Sequence, residues 1–337
     1  MLITNNKKLD YIVLLDPGLS AGSTVKNLGD CIISEAVNNK LNELFPDEEI
    51  IRISSHKPVD SESRKVIKKA KYVFIGGTNL LSNYMHRMNY PLKQKRGFIL
   101  STNLKNVILF GVGWGYGYGV PKIDRNTMAF YKKIFERNKI QGVRDSYSED
   151  KLLTNGFKNS VNTNCPTMWG INGLSMDLTL RSLPKKALFT LTDYAKDYNN
   201  DNVLIDLLAG KFKELFFFPQ GHRDKMYIEL LESYLKHKDK IKFIDRSLEA
   251  YDKFIKNEDF VYIGTRLHGG IRCLQNNKPA LVLSIDNRAE CIAKDTNLAA
   301  CSRSDMETVG LWLTGKTNFG NIKLNLDGIN SFIAQFG

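Results

Sequence analysis

Arg266 and His268, two residues apart, are the side chains of this sequence best suited to do chemistry. Arginine grips a carboxylate or phosphate with two parallel hydrogen bonds. Histidine moves a proton near neutral pH. The pair sits in Val261-Tyr-Ile-Gly-Thr-Arg-Leu-His-Gly-Gly-Ile-Arg-Cys-Leu-Gln275. That stretch reads as a buried strand from Phe260 to Ile263, a tight Gly/Thr turn, and a helix beginning near His268. A second buried strand follows from Pro279 to Ser284. Leu267 and Gly269 flank the histidine at the helix start. Open α/β sheets bind ligands at such strand ends. A helix start adds backbone N–H groups and the positive end of a dipole, which suit an anion. The motif is short, and a surface arginine beside a helix-capping histidine is the plain alternative.

Other candidates stand at similar junctions. Asn27-Leu-Gly-Asp30 precedes an amphipathic helix read from Cys31 to about Leu44. Asp30 stands either as its N-cap or as a carboxylate facing a ligand. Gly76-Gly-Thr-Asn79 ends the strand Tyr72 to Ile75, leaving room for a ligand or for a tight turn. Arg144 follows the short strand Ile140 to Val143, where it can bind an anion or pair with Asp145. Pro219-Gln-Gly-His222 ends the strand Glu214 to Phe218, so Gln220 and His222 are candidates for phosphate or acceptor contacts. An exposed loop histidine is the alternative for His222. His56, His86 and His237 read as surface residues. No His, Cys and carboxylate set has metal-ligand spacing.

These junctions need a scaffold of alternating strands and helices. The chain supplies it twice: once around Tyr11–Leu15, Glu49–Ile53, Tyr72–Ile75 and Asn106–Phe110, and again from Ala187 to Ser284. Such alternation predicts two doubly wound α/β domains with a ligand cleft between them. At 337 residues the length suits two. The expected division is 1–170 and 171–337, with the last helices packing back on the first domain. Gly111-Val-Gly-Trp-Gly-Tyr-Gly-Tyr-Gly119 lacks the spacing of a dinucleotide fingerprint. It reads as a flexible loop whose aromatics either stack on a sugar ring or simply pack. Helices are expected over 128–138, 202–208 and 225–236, and one capped by Ser247.

Hydrophobic residues make up 42% and charged residues 25%, the composition of a soluble globular protein. No apolar run is long enough to span a membrane, and the first residues do not read as a secretory leader. Five scattered cysteines form no disulfide framework, which points to a reducing cytoplasm. The net charge is +12, but the lysines do not interleave with aromatics as in nucleic-acid modules. A basic solvated surface, or peripheral contact with an anionic membrane leaflet, accounts for the charge. No residue pattern assigns an oligomeric state.

Taken in order, Asn27-Leu-Gly-Asp30, Gly76-Gly77, Arg144-Asp-Ser146, Cys165-Pro-Thr167 and Arg266-Leu-His268-Gly269 resemble the polysaccharide pyruvyl transferase family from about residue 10 to 300. The resemblance implies a GT-B-like pair of Rossmann-like domains. It implies transfer of pyruvate from phosphoenolpyruvate, as a ketal, to a sugar of a surface polysaccharide or its lipid-linked precursor. No cofactor is implied. Arg266, Leu267, His268 and Gly269 would contact phosphoenolpyruvate, Arg144 would be a second anion ligand, and Asp30 would lie at the same cleft. Gly264-Thr265 departs from the serine that many members carry before the arginine. Asp286, Asn287 and Arg288 replace a Gly-rich helix start after Pro279.

The chemistry matches those residue types. His268 would protonate C3 of the enol ether, and Asp30 would take a hydroxyl proton or stabilise the cationic centre at C2. The arginines would hold the carboxylate and phosphate. A glycosyltransferase using a nucleotide sugar, and a basic scaffold binding acidic polymers, are the competing readings.

Overall fold

The structure, a computed structural model, describes residues 10–19, 27–55, 59–85, 104–175, 183–317 and 319–337. His56, His86 and most of the loop expected over 17–26 lie outside the described residues. The chain divides into two compact units, each an α/β unit with a parallel sheet. Among the described residues no helix is long and apolar enough to cross a membrane.

The first unit takes the described residues of 1–24, 33–166 and 325–337. Its strands are β1 (Tyr11–Asp16), β2 (Glu49–Ser54), β3 (Val73–Gly76), β4 (Asn79–Ser82), β5 (Val107–Phe110), β6 (Gly113–Tyr116), β7 (Gln141–Val143) and β8 (Ser160–Asn162). The main sheet is parallel with order β2-β1-β3-β5. β1, β3 and β5 are near-continuous apolar runs because both faces of a parallel sheet are covered. Asp60, Asp124 and Asp145 cap the helices Ser61–Lys69, Arg125–Ile134 and Ser146–Thr154 through backbone N–H groups.

The second unit takes the described residues of 25–32 and 167–324. Its strands are β9 (Lys186–Thr190), β10 (Glu214–Phe217), β11 (Ile241–Phe243), β12 (Val261–Gly264), β13 (Ala280–Ser284) and β14 (Ala300–Ser302). They form one parallel sheet of order β11-β10-β9-β12-β13-β14. Chain order reverses between β9 and β12. A crevice at the carboxyl ends of those two strands is where a doubly wound sheet binds its ligand.

Several local expectations are corrected. The division falls at 166/167 rather than 170, and residues 25–32 go with the second unit. Asn27 forms an antiparallel bridge with Gly221, and Leu28 N donates to Gln220 O at 3.1 Å, which ties residues 27–30 to the second unit. Of the last helices, expected to pack back on the first domain, Met306–Trp312 stays with the second unit and Leu326–Ala334 belongs to the first. There Phe332 meets Phe110 edge-on at 5.0 Å and Phe336 meets Phe74 at 5.4 Å. The helix expected from Cys31 starts at Leu28, because Asn27 accepts from Gly29 N at 3.1 Å and takes the capping position expected of Asp30. The aromatic loop is not loose: β6 pairs with β4, and Trp114 is buried with Nε1 donating to Asn83 at 2.8 Å. The helix expected over 225–236 is two short ones, Asp224–Ile228 and Glu232–Lys236, divided at Leu231, whose backbone is extended. Ser247 caps Leu248–Asn257 as expected, with Oγ accepting from Ala250 N.

Candidate functional site

β12 ends at Gly264, Thr265 and Arg266 make the turn, and the helix Leu267–Gln275 begins with Arg266 at its N-cap position. The turn is pinned from behind. Thr265 N donates to Thr190 O at 3.0 Å, prolonging the pairing of β12 with β9. Tyr262 Oη lies 2.6 Å from Thr190 Oγ1 and donates to Arg266 O at 2.7 Å. Burial pushes the Tyr262 phenol far above its ordinary range, so it stays a donor. Arg266 places no side-chain cap on the helix, and first-turn N–H groups have no acceptor within the helix itself.

The arginine is 4% exposed. Its Nε donates to Asp224 Oδ2 at 2.9 Å, and its Nη2 to Asp224 Oδ1 and to Asp193 Oδ1, the latter at 3.1 Å. These bonds leave Nη1 without a hydrogen bond among the described residues. Burial works against the charge, but Asp224 overcomes it and holds the guanidinium pKa above its ordinary value. Asp193 follows β9 and Asp224 opens the helix after β10, so segments after two neighbouring strands orient the side chain delivered by a third. Gly221 makes the approach possible: a Cβ there would come within 2.1 Å of Arg266 Nη2.

Asn27, Gln220, Arg266, Leu267 and His268 line one recess of the second unit, at the carboxyl ends of its strands. His268 is buried, 6% exposed, in the first turn of the helix. Gly269 follows, placed so that a Cβ would lie 2.9 Å from Gln220 Oε1. Asp30 joins through two amides: Gln220 Nε2 donates to Asn27 Oδ1 at 3.1 Å, and Asn27 Nδ2 to Asp30 Oδ2 at 3.4 Å. His222 is exposed and does not line the recess.

Four contributors lay outside the expected set. Besides Asp193 and Asp224, Tyr194 places its ring 5.2 Å from the Arg266 guanidinium carbon. Its hydroxyl accepts from Arg288 Nη2 at 2.6 Å. Arg288, also in the recess wall, is bound to Asp286 through Nε at 2.9 and 3.0 Å. A signal existed for each, since all four follow strand ends, but nothing local to them says which neighbour they meet.

The remaining candidates lie in the first unit. Gly77 and Thr78 both have positive φ, +57° and +59°, so the chain after Gly76 turns sharply into β4 at Asn79. Arg144 is 1% exposed, with Nη2 donating to Asn79 Oδ1 at 2.6 Å and Nε to Asp145 Oδ2 at 3.3 Å. The structure thus joins Arg144 to Asn79, two residues 65 positions apart.

Comparison with known proteins adds to this geometry. A family model described as polysaccharide pyruvyl transferase matches residues 27–287. No curated protein matches the sequence. Among solved structures, the chain is similar to a UDP co-structure of S. aureus MnaA, at 12% identity and a TM-score of 0.48, covering 96% of this chain and 94% of that one. It is similar to the apo lipopolysaccharide outer core galactosyltransferase WaaB at 10% identity and 0.45, covering 97% and 95%. It is also similar to Acinetobacter baumannii MurG at 11% identity and 0.38, covering 97% and 94%.

Proposed function

Because the chain belongs to the polysaccharide pyruvyl transferase family, we propose that it moves pyruvate from phosphoenolpyruvate to two hydroxyls of one sugar, forming a ketal and releasing phosphate. One observation carries the donor assignment. Arg266 is held by Asp224 and Asp193 with Nη1 left over, beside His268 at a helix start and at the switch point of the sheet. A buried, oriented guanidinium with a helix N-terminus is an anion site, and phosphoenolpyruvate carries two anionic groups.

In the reaction, His268 gives a proton to C3 of the enol, which leaves a cationic centre at C2. The first sugar hydroxyl bonds to C2 and Asp30, whose carboxylate Asn27 orients, takes its proton. The C2–O bond to phosphate then breaks, assisted by Arg266. The second hydroxyl bonds to C2 and closes the ketal. Two hydroxyl protons leave the sugar; one replaces the proton given to C3 and the other leaves with phosphate.

A thermal-shift titration with phosphoenolpyruvate tests the donor. A ligand that binds only the folded state raises the melting temperature with its concentration. A rise in wild type that is lost in Arg266→Lys supports the reading. A rise with a uridine diphosphate sugar and none with phosphoenolpyruvate, with or without added sugar, would move the protein to glycosyl transfer.

The acceptor's lipid linkage and a cytoplasmic, peripheral location belong to the same proposal. A groove in the first unit is lined by Arg64, Lys68, Lys71, Lys105 and Lys133, chemistry suited to anionic headgroups. Co-sedimentation with anionic but not neutral vesicles, weakened by salt, is expected. Equal recovery with both vesicle types would remove this part.

A further inference from the structure

A hollow of about 450 Å³ in the first unit takes no part in the reaction above. It opens where the chain leaves the helices Arg125–Ile134 and Ser146–Thr154 and enters β7 and β8. It therefore lies at the amino ends of those strands, whereas Arg144 follows the carboxyl end of β7. Its floor is aromatic. The helix Ser146–Thr154 closes on Gly156, at φ +88°, with Gly156 N donating to Leu153 O and Phe157 N to Leu152 O. That closure sets the half-buried Phe157 in the wall of the hollow. Its ring is held edge-on by Phe135 at 5.5 Å and by Tyr131 at 6.2 Å, and those two stack at 5.0 Å. A ring fixed before anything binds loses little freedom when a second ring stacks on it.

The rim is cationic. Lys132, Arg137 and Lys158 are exposed and line the hollow, and none has a carboxylate partner among the described residues. Glu136, the carboxylate in the same lining, accepts from Asn138 N at 3.0 Å. Asn159 Nδ2 donates to Arg137 O at 2.8 Å and ties the two walls together. Hollows of about 300–1,000 Å³ hold small molecules. Three cations around one such hollow suit charge concentrated in a single group, as in a diphosphate, rather than the spaced carboxylates of an acidic glycan. A floor of three rings suits a planar ring and is too short for a lipid chain. We propose that this hollow binds a nucleoside diphosphate, with the base on Phe157 and the phosphates on Lys132, Arg137 and Lys158. The site shares no residue with the recess that Arg266 lines, and it does not rest on the pyruvyl reading.

Calorimetric titration of the full chain with ADP, adenosine and inorganic pyrophosphate tests this. ADP is expected to bind more tightly than either fragment, because each makes only half of the contacts. Lys158→Glu, at an exposed position, should weaken ADP about 10-fold or more, the worth of one charged hydrogen bond. Phosphoenolpyruvate affinity should stay unchanged in that variant. Phe157→Leu, checked for folding by its melt without ligand, should weaken ADP about 5-fold or more through lost stacking and leave pyrophosphate unaffected. No binding of ADP by wild type overturns the inference, and so does pyrophosphate or adenosine binding as tightly as ADP. ADP affinity indifferent to both substitutions overturns it too. Arg266→Lys separates the two sites: ADP binding lost there would put the nucleotide in the second unit and overturn this assignment. ADP binding kept there, in a protein that does not bind phosphoenolpyruvate, would support the hollow and sink the pyruvyl reading.

Discussion

Arg266 and Asp224 are joined at two points inside the second unit, and neither has appreciable access to water: the arginine is 4% exposed and the aspartate 0%. The pair orients the guanidinium that faces the recess. Its energetic role is asymmetric. Desolvation offsets much of the attraction within a buried pair, but removing one partner leaves a buried charge without compensation.

Asp224→Ala should therefore lower unfolding stability by about 3–5 kcal/mol. Arg266→Lys keeps the charge but not the planar two-point contact. It should lose less stability and about 10- to 100-fold in donor-dependent turnover, the worth of one or two charged hydrogen bonds. Urea unfolding and phosphate-release kinetics separate the two effects. Turnover unchanged in Arg266→Lys would mean that charge alone, and not geometry, serves the site.

His268→Ala should lower turnover about 100-fold or more, with phosphoenolpyruvate affinity little changed, because a general acid acts in the transition state more than in binding. Single-turnover kinetics with calorimetric affinity make the split visible. An affinity loss at constant turnover would reassign His268 to holding the donor.

Gly221→Ala places a methyl 2.1 Å from Arg266 Nη2 and 2.8 Å from Asp224 Oδ1, so the pair must shift. A loss of about 1–3 kcal/mol and weaker donor binding are expected. Gly210, within the helix Tyr198–Lys211, has nothing within 4 Å of a built Cβ. Gly210→Ala should instead stabilise by about 0.5–1 kcal/mol through helix propensity. Paired melts of the two variants, moving in opposite directions, check both statements.

Alkaline pH should destabilise the fold. Burial pushes the Cys273 thiol up to about 12, and burial also raises Tyr251 and Tyr262. In the unfolded chain a thiol releases its proton from pH about 8.5 and a phenol from about 10. Above those values the unfolded state binds fewer protons than the folded one, so stability falls as pH rises. The neutral-form advantage is fully present below the unfolded pKa and is lost between there and about pH 12 for Cys273. Unfolding midpoints measured across that window should drop steadily, and a thiol reagent at mildly alkaline pH should spare Cys273 until unfolding. A flat profile would show that the buried thiol and phenols ionise as readily folded as unfolded.

Much of the site was legible because junctions are local. Val261 to Gln275 carries its strand, turn and helix in consecutive residues, so Arg266 and His268 could be placed without knowing the sheet. The same holds for Ser247 as a cap, whose partner is three residues away. Gln220 stood out at a strand end for the same reason. The helix start at Leu28 was misjudged because the residue that caps it, Asn27, is held by Gly221, which is far along the chain. The aromatic stretch after Gly111 packs, the second of its two readings, because its order comes from pairing with β4, 33 or 34 residues earlier.

The sequence by itself determined the alternation of strands and helices, the junctions that carry polar side chains, and the ordered motifs shared with one transferase family. Each depends on periodicity or spacing within a few residues of itself. Only the tertiary structure decided which junctions meet. The strand order β11-β10-β9-β12-β13-β14 brings Asp193, Asp224 and Arg266 together from the ends of three strands. Strand order follows from how whole helices and strands cover one another's apolar faces. No short window of residues contains that information.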